Sequence, residues 1–89
     1  MLKPSYTGQF ERDLGAMLKR GKKGDKIKAV MRKLIEEDPL EARFRDHKLA
    51  GKYKDRRECH VEPDWLLIYK KTKEEIVFER TGSHTDLFE

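Results

Sequence analysis

The chain has 89 residues, 43% of them charged and 36% hydrophobic, with a net charge of +4 at neutral pH. That length holds one compact domain with a thin core, residues 1–89, and excludes a second. No run approaches the roughly 20 apolar residues of a membrane span, the N-terminus has no apolar signal segment, and the lone Cys59 has no partner for a disulfide within the chain. The expectation is a soluble, cytoplasmic protein.

Charge is unevenly distributed. Residues 1–57 hold 17 Lys/Arg against 9 Asp/Glu, whereas residues 58–89 hold 4 against 8. A basic region of this kind attracts RNA, DNA or an acidic partner protein. A lysine-rich helix is as often only a solvated surface.

Residues 2–6 can form a short strand, which Pro4 restricts to a sheet edge or a strand start. Phe10, Leu14, Met17 and Leu18 then fall on one face of a helix. Thr7 is its expected N-cap, and Gly21 and Gly24 punctuate its end. A second helix is predicted over residues 25–37. Ile27, Val30, Met31, Leu34 and Ile35 form its stripe, Asp25 is its N-cap, and Asp38-Pro39 stops it. The two helices are joined by a basic turn, and the stretch 19–33 carries Lys19, Arg20, Lys22, Lys23 and Lys26 among its cations.

Residues 40–55 read as polar and irregular. Beyond them the period changes from helical to extended. Residues 57–62, 65–71 and 76–81 are predicted strands, separated by short turns at Pro63-Asp64 and Lys73-Glu74. Residues 82–88 suffice for a turn or a single helical turn. The order β-α-α-β-β-β implies an α+β fold: two antiparallel helices packed on one face of a small, mainly antiparallel sheet. The other sheet face is expected to be free.

Residues with chemical capacity concentrate late in the chain: His47, Glu58, His60, Asp64, Trp65, Arg80, His84 and Phe88. Their spacing argues against a metal centre. There is no Cys-x-x-Cys, and Cys59 and His60, adjacent on a strand, point to opposite faces. A Cys59 buried beside Val61 is inert rather than nucleophilic. Acid–base chemistry remains. RNA carries its own nucleophile, the 2′-OH, so a catalyst need only take that proton, protonate the leaving 5′-oxygen and stabilise the phosphate. Histidine suits both proton transfers, arginine grips phosphate oxygens in pairs, and aromatic rings hold an unstacked base. The ordinary alternatives are core packing for Trp65, a C-terminal plug for Phe88 and a solvated surface for the lysines. Simple alternation puts Arg80 on the same side as Ile76 and Phe78, so the pattern leaves its direction open.

Three blocks are more specific than their composition. Arg45-Asp46-His47, residues 58–69 (ECHVEPDWLLIY) and residues 78–84 (FERTGSH) with Leu87-Phe88 closely resemble YafQ-type toxins of the RelE/ParE superfamily, found in bacterial toxin–antitoxin pairs. The resemblance is strong from about residue 44 to 88; the helices match only in pattern. It implies a metal- and cofactor-free endoribonuclease that cuts mRNA in the ribosomal A site and leaves a 2′,3′-cyclic or 3′-phosphate and a 5′-hydroxyl. The implied active-site set is His47, His60, Asp64, Arg80, His84 and Phe88, with Trp65 beside it and Glu58 where relatives carry an acid. His47 or His60 would activate the 2′-OH with Asp64 orienting the imidazole or sharing the proton, His84 would protonate the leaving oxygen, Arg80 would meet the phosphate charge, and Phe88 would support a base. Lys19, Arg20, Lys22, Lys23 and Lys26 would grip ribosomal RNA, and Trp65 is expected to join them in binding RNA. A DinJ-like antitoxin is the implied partner, with operator DNA bound only through the complex. A ribosome-independent RNase of the same fold and a non-catalytic RNA- or antitoxin-binding module are the competing readings.

Overall fold

Thr7 opens the first helix as its side chain implies. Its hydroxyl oxygen accepts the Phe10 N–H, and α1 runs Gly8–Lys19. In the computed structural model, which describes residues 1–88, α1 follows strand β1 (Lys3–Tyr6) and precedes α2 (Gly24–Ile35). Gly21, at φ +93°, supplies the left-handed residue that stops α1. Gly24 opens α2 rather than closing α1. The expected cap of α2 is corrected: Lys23 is the N-cap and makes no side-chain cap bond, while Asp25 sits in the first turn. There its charge still meets the positive end of the helix. The helix ends at Ile35, and Glu37 adopts φ 61° just before Asp38-Pro39.

Two single-turn 3-10 segments, Ala42–Phe44 and Gly51–Tyr53, flank a two-residue strand β2 (His47–Lys48) within the stretch read as irregular. Then come β3 (Arg57–Glu62), β4 (Trp65–Lys71), β5 (Glu75–Gly82) and a short helix α3 (His84–Phe88). The sheet order is β1-β5-β4-β3-β2, antiparallel except for the parallel β1–β5 pair. Pro4 therefore lies on an edge strand, where its missing N–H costs no ladder bond.

The helix pair covers one face. Phe10, Met17, Ile27, Val30 and Leu34 pack with Cys59, Trp65, Leu67, Tyr69, Ile76 and Phe78 in the main core. The opposite face is not bare. Leu66 and Ile68 are buried there beneath Leu87 of α3, with Leu49 and Tyr53 packed against them. This smaller cluster seats α3 and the 49–53 segment on the sheet, and so fixes the margins of the site described next.

Two bulges decide which side chains reach that second face. Ile68 pairs with Arg80 but Tyr69 pairs with Phe78, so Glu79 is an extra residue on β5. A bulge reverses the alternation beyond it. Phe78 consequently enters the helix-side core, while Arg80, two residues on, lies on the opposite face. The second bulge places Val61 between the His60–Leu66 and Glu62–Trp65 pairs. Glu62 therefore turns towards α2, away from Glu58 and His60, and binds Lys22 and Lys26 at 2.7 and 2.8 Å.

Candidate active site

The register builds one row across the sheet: His47 opposite Glu58, Glu58 opposite Ile68, Ile68 opposite Arg80. The next row is His60, Leu66 and Gly82. At about 4.8 Å per strand, Glu58 and Arg80 stand some 10 Å apart at the backbone. The β3–β4 turn supplies Asp64, and α3 supplies His84 and Phe88.

The three imidazoles form a file. Ring centroids are 6.4 Å apart for His47–His60 and 5.8 Å for His60–His84. Phe88 follows His84 at 6.5 Å, and Tyr53 meets Phe88 edge-on at 5.5 Å. The Tyr53 hydroxyl then lies 3.5 Å from an Arg80 guanidinium nitrogen. All six residues of the expected set thus belong to one continuous surface, with Tyr53 as a link that the sequence did not reveal. The surface is open: His47, Asp64, His84 and Phe88 are all exposed, whereas His60 and Glu58 are almost enclosed.

Carboxylates orient the rings. Asp64 Oδ1 accepts from both the His84 backbone N–H (2.9 Å) and ring Nδ1 (2.6 Å). Those two bonds, the backbone one first, hold the Asp64 carboxyl below its usual range. They also fix the Nδ1–H form of His84, with Nε2 on the far side of the ring. The expected partnership of Asp64 with His47 or His60 is corrected accordingly. The acid beside those two rings is Glu58, whose Oε1 lies 3.5 Å from His47 Nε2 and 3.4 Å from His60 Nε2. His47 Nδ1 is 2.6 Å from the Arg45 carbonyl. A carbonyl can only accept, so Nδ1 carries the proton and neutral His47 also presents Nε2.

α3 has only five residues and needs external support to hold His84 and Phe88. Ser83 and Asp86 form a reciprocal cap: the Ser83 N–H donates to Asp86 Oδ2 at 2.9 Å, and the Asp86 N–H to Ser83 Oγ at 3.1 Å. Arg20 grips both Asp86 oxygens at 2.6 and 3.1 Å. Arg20 first, then the cap, holds the Asp86 carboxyl well below the usual carboxylate range. Gly82 permits this turn: a Cβ there would stand 2.9 Å from Asp86 Cβ. On the other side, Asp46 accepts from Tyr69 Oη and from Arg57 Nε, and so anchors the strand that bears His47.

The profile of the family described as "Bacterial toxin of type II toxin-antitoxin system, YafQ" matches residues 2–89. This chain belongs to the YafQ toxin family. It is 48% identical to the mRNA interferase toxin YafQ of Escherichia coli K12 over 84 residues, covering 93% of this chain and 91% of the relative. It superposes on a chain of the E. coli DinJ-YafQ complex with a TM-score of 0.93 at 44% identity, each chain covered in full. It is also similar to a metal-bound toxin from Helicobacter pylori, with a TM-score of 0.91, 39% identity and coverage of 99% and 100%.

Within this YafQ-family fold the remaining expected residues separate. Trp65 is fully buried, and its indole N–H donates to Thr81 Oγ1 at 2.9 Å. A ring sealed in the helix-side core cannot meet RNA, and its expected RNA-binding role is corrected to core anchor. Cys59 is buried on that same side, where burial pushes its thiol up. Among the basic residues, Arg20 is paired with Asp86, and Lys22 and Lys26 with Glu62. Lys19 and Lys23 are exposed, and no ion pair involves them among the described residues. Lys52 holds its ammonium 5.6 Å over the ring of Tyr53, which in turn meets Phe88.

Proposed function

We propose that this protein is a toxin endoribonuclease that cuts mRNA in the ribosomal A site without metal or cofactor, and that a cognate antitoxin of the DinJ kind neutralises it. The observation that carries the reading is the pair of exposed histidines, His47 and His84, each with Nδ1–H tied to an oxygen and Nε2 left for chemistry, on the sheet face that also bears Arg80.

Those tautomers are compatible with the following steps, in which we assign His47 as the base and His84 as the acid. His47 Nε2 takes the proton of the ribose 2′-OH, and Glu58, 3.5 Å away, stabilises the imidazolium that forms. The 2′-oxygen attacks the adjacent phosphorus. The P–O5′ bond breaks, and His84, as the imidazolium backed by Asp64, gives its proton to the departing 5′-oxygen. The products are a 2′,3′-cyclic phosphate and a 5′-hydroxyl. Arg80 meets the charge that grows on the phosphate oxygens. His60, enclosed between the two working rings, holds Glu58 in place. Phe88 and Tyr53 offer aromatic faces to a base pulled out of the stack.

The open site favours a substrate held by something else. A surface with exposed catalytic groups gives RNA few walls, so ordering of the mRNA by the ribosome would supply the positioning that the toxin lacks. Lys19, Lys23 and Lys52 would dock on ribosomal RNA phosphates, contributing affinity rather than sequence choice. The cleavage of one mRNA, free or bound to programmed ribosomes, tests this. Rapid cutting on the ribosome is expected, with free RNA cut at least about 100-fold more slowly, a deficit well within what positioning alone contributes. Equal rates on both would establish a ribosome-independent RNase instead.

A further inference from the structure

Asp13 occupies the interior of α1, a position where aspartate is a poor helix former. Its side chain is only 11% exposed. It accepts four hydrogen bonds: Gln9 Nε2 and one Arg80 terminal nitrogen on Oδ1, at 2.9 and 3.3 Å, and Arg80 Nε and the Thr81 N–H on Oδ2, at 2.7 and 3.2 Å. Three of the four come from β5, and from the two residues just beyond the Glu79 bulge. No motif in the sequence connects residue 13 with residue 80.

We infer that Asp13 is the positioning residue for Arg80, setting the guanidinium so that its free edge faces the scissile phosphate. An arginine guanidinium has two bidentate hydrogen-bonding edges and a single further N–H beside Cδ. Asp13 takes the one formed by Nε and one terminal nitrogen, and Tyr53 Oη lies 3.5 Å from the other terminal nitrogen. The end-on edge between the two terminal nitrogens remains for a phosphate, which it can grip with two parallel N–H bonds. The frame behind this arrangement is stiff. Thr7, the α1 cap, also donates its hydroxyl to the Glu79 carbonyl at 2.9 Å, and its backbone N–H bonds to the Phe78 carbonyl at 3.1 Å. The start of α1 is thereby locked to the bulge that turns Arg80 onto the site face, and Asp13 then fixes the end of that side chain.

The inference rests on the proposed role of Arg80, and the test separates the two. Cleavage of ribosome-bound mRNA is measured for Arg80→Ala, Asp13→Asn, the double variant and Asp13→Glu, with melting midpoints for each. Asp13→Asn is expected to lower kcat at least fivefold while KM changes less than twofold, since the guanidinium acts on the developing charge. In the Arg80→Ala background the same substitution should cost nothing further. Asp13→Glu retains the charge but displaces it by one methylene, and should lose rate without losing stability. A full rate in folded Asp13→Asn and Asp13→Glu, a rate above that of the unmodified protein, or an equal further loss in the double variant would each overturn the positioning role. A full rate in Arg80→Ala would instead overturn the role of Arg80 itself, and the inference with it.

Discussion

Replacing His84 with alanine is expected to lower mRNA cleavage by at least about 100-fold, the lower end of the range for a lost general acid or base, and to leave the melting midpoint unchanged. The expectation of a large, purely chemical effect comes from where the ring sits. The His84 side chain is 56% exposed and leans on Asp64, itself 68% exposed. Neither contributes to the core, and α3 is held by Leu87, the Ser83–Asp86 cap and Arg20 rather than by the imidazole. Asp64→Asn should cost less. The amide keeps an oxygen for the His84 backbone N–H but removes the charge that supports the imidazolium. Steady-state cleavage on programmed ribosomes, paired with thermal unfolding of each variant, measures both. A folded His84→Ala protein that cuts at the original rate would remove His84 from the chemistry.

Trp65→Ala is expected to do the opposite, abolishing activity through the fold. The indole is fully buried and its N–H ends on Thr81, whose hydroxyl passes the contact on to the Leu66 carbonyl at 2.7 Å. Truncating a buried aromatic of this size costs about 3–5 kcal/mol. A small domain has roughly 5–15 kcal/mol in total. At about 4–8 °C per kcal/mol for a domain of this size, the melting midpoint should fall by more than about 12 °C. Circular dichroism on heating checks this. Normal melting with impaired RNA affinity would return Trp65 to the RNA interface, and the core described above would be wrong in its centre.

The contrast between these two residues shows what the sequence could carry. The stripes of α1 and α2, the Thr7 cap and the three long strands were legible because burial on one side imposes a period on the residues. Trp65, beside Asp64 in the HVEPDW block, is next to the site in sequence and faces away from it in space. Adjacent strand residues point to opposite faces, so proximity along the chain misleads. Arg80 posed the converse problem. Its direction depends on Glu79 being an extra residue in the ladder, and a bulge leaves no periodic mark. β2 was invisible for its length: two residues, His47 and Lys48, are too few for any alternation. Asp13, Tyr53 and the Arg20–Asp86 pair were hidden for a different reason. Their roles rest on contacts 67, 27 and 66 residues apart in the chain, and nothing local announces such contacts.

The orienting carboxylates show the same limit. The resemblance set Asp64 beside His47 or His60, but the β3–β4 turn carries Asp64 to His84. The acid beside His47 and His60 is Glu58, which the register sets opposite one and two residues before the other.

Substituting deoxyribose at the single nucleotide 5′ to the cut tests most directly whether the RNA supplies its own nucleophile between His47 and His84. The substrate is an mRNA placed on the ribosome with that one 2′-OH removed, and the ends of any product are identified by mass. The ribose form should yield a 2′,3′-cyclic or 3′-phosphate and a 5′-hydroxyl, and the deoxy form should stay intact. Scission of the deoxy substrate, or a 5′-phosphate on the product, would mean that water or another group attacks the phosphorus, and the base–acid pairing of the two histidines would have to be abandoned.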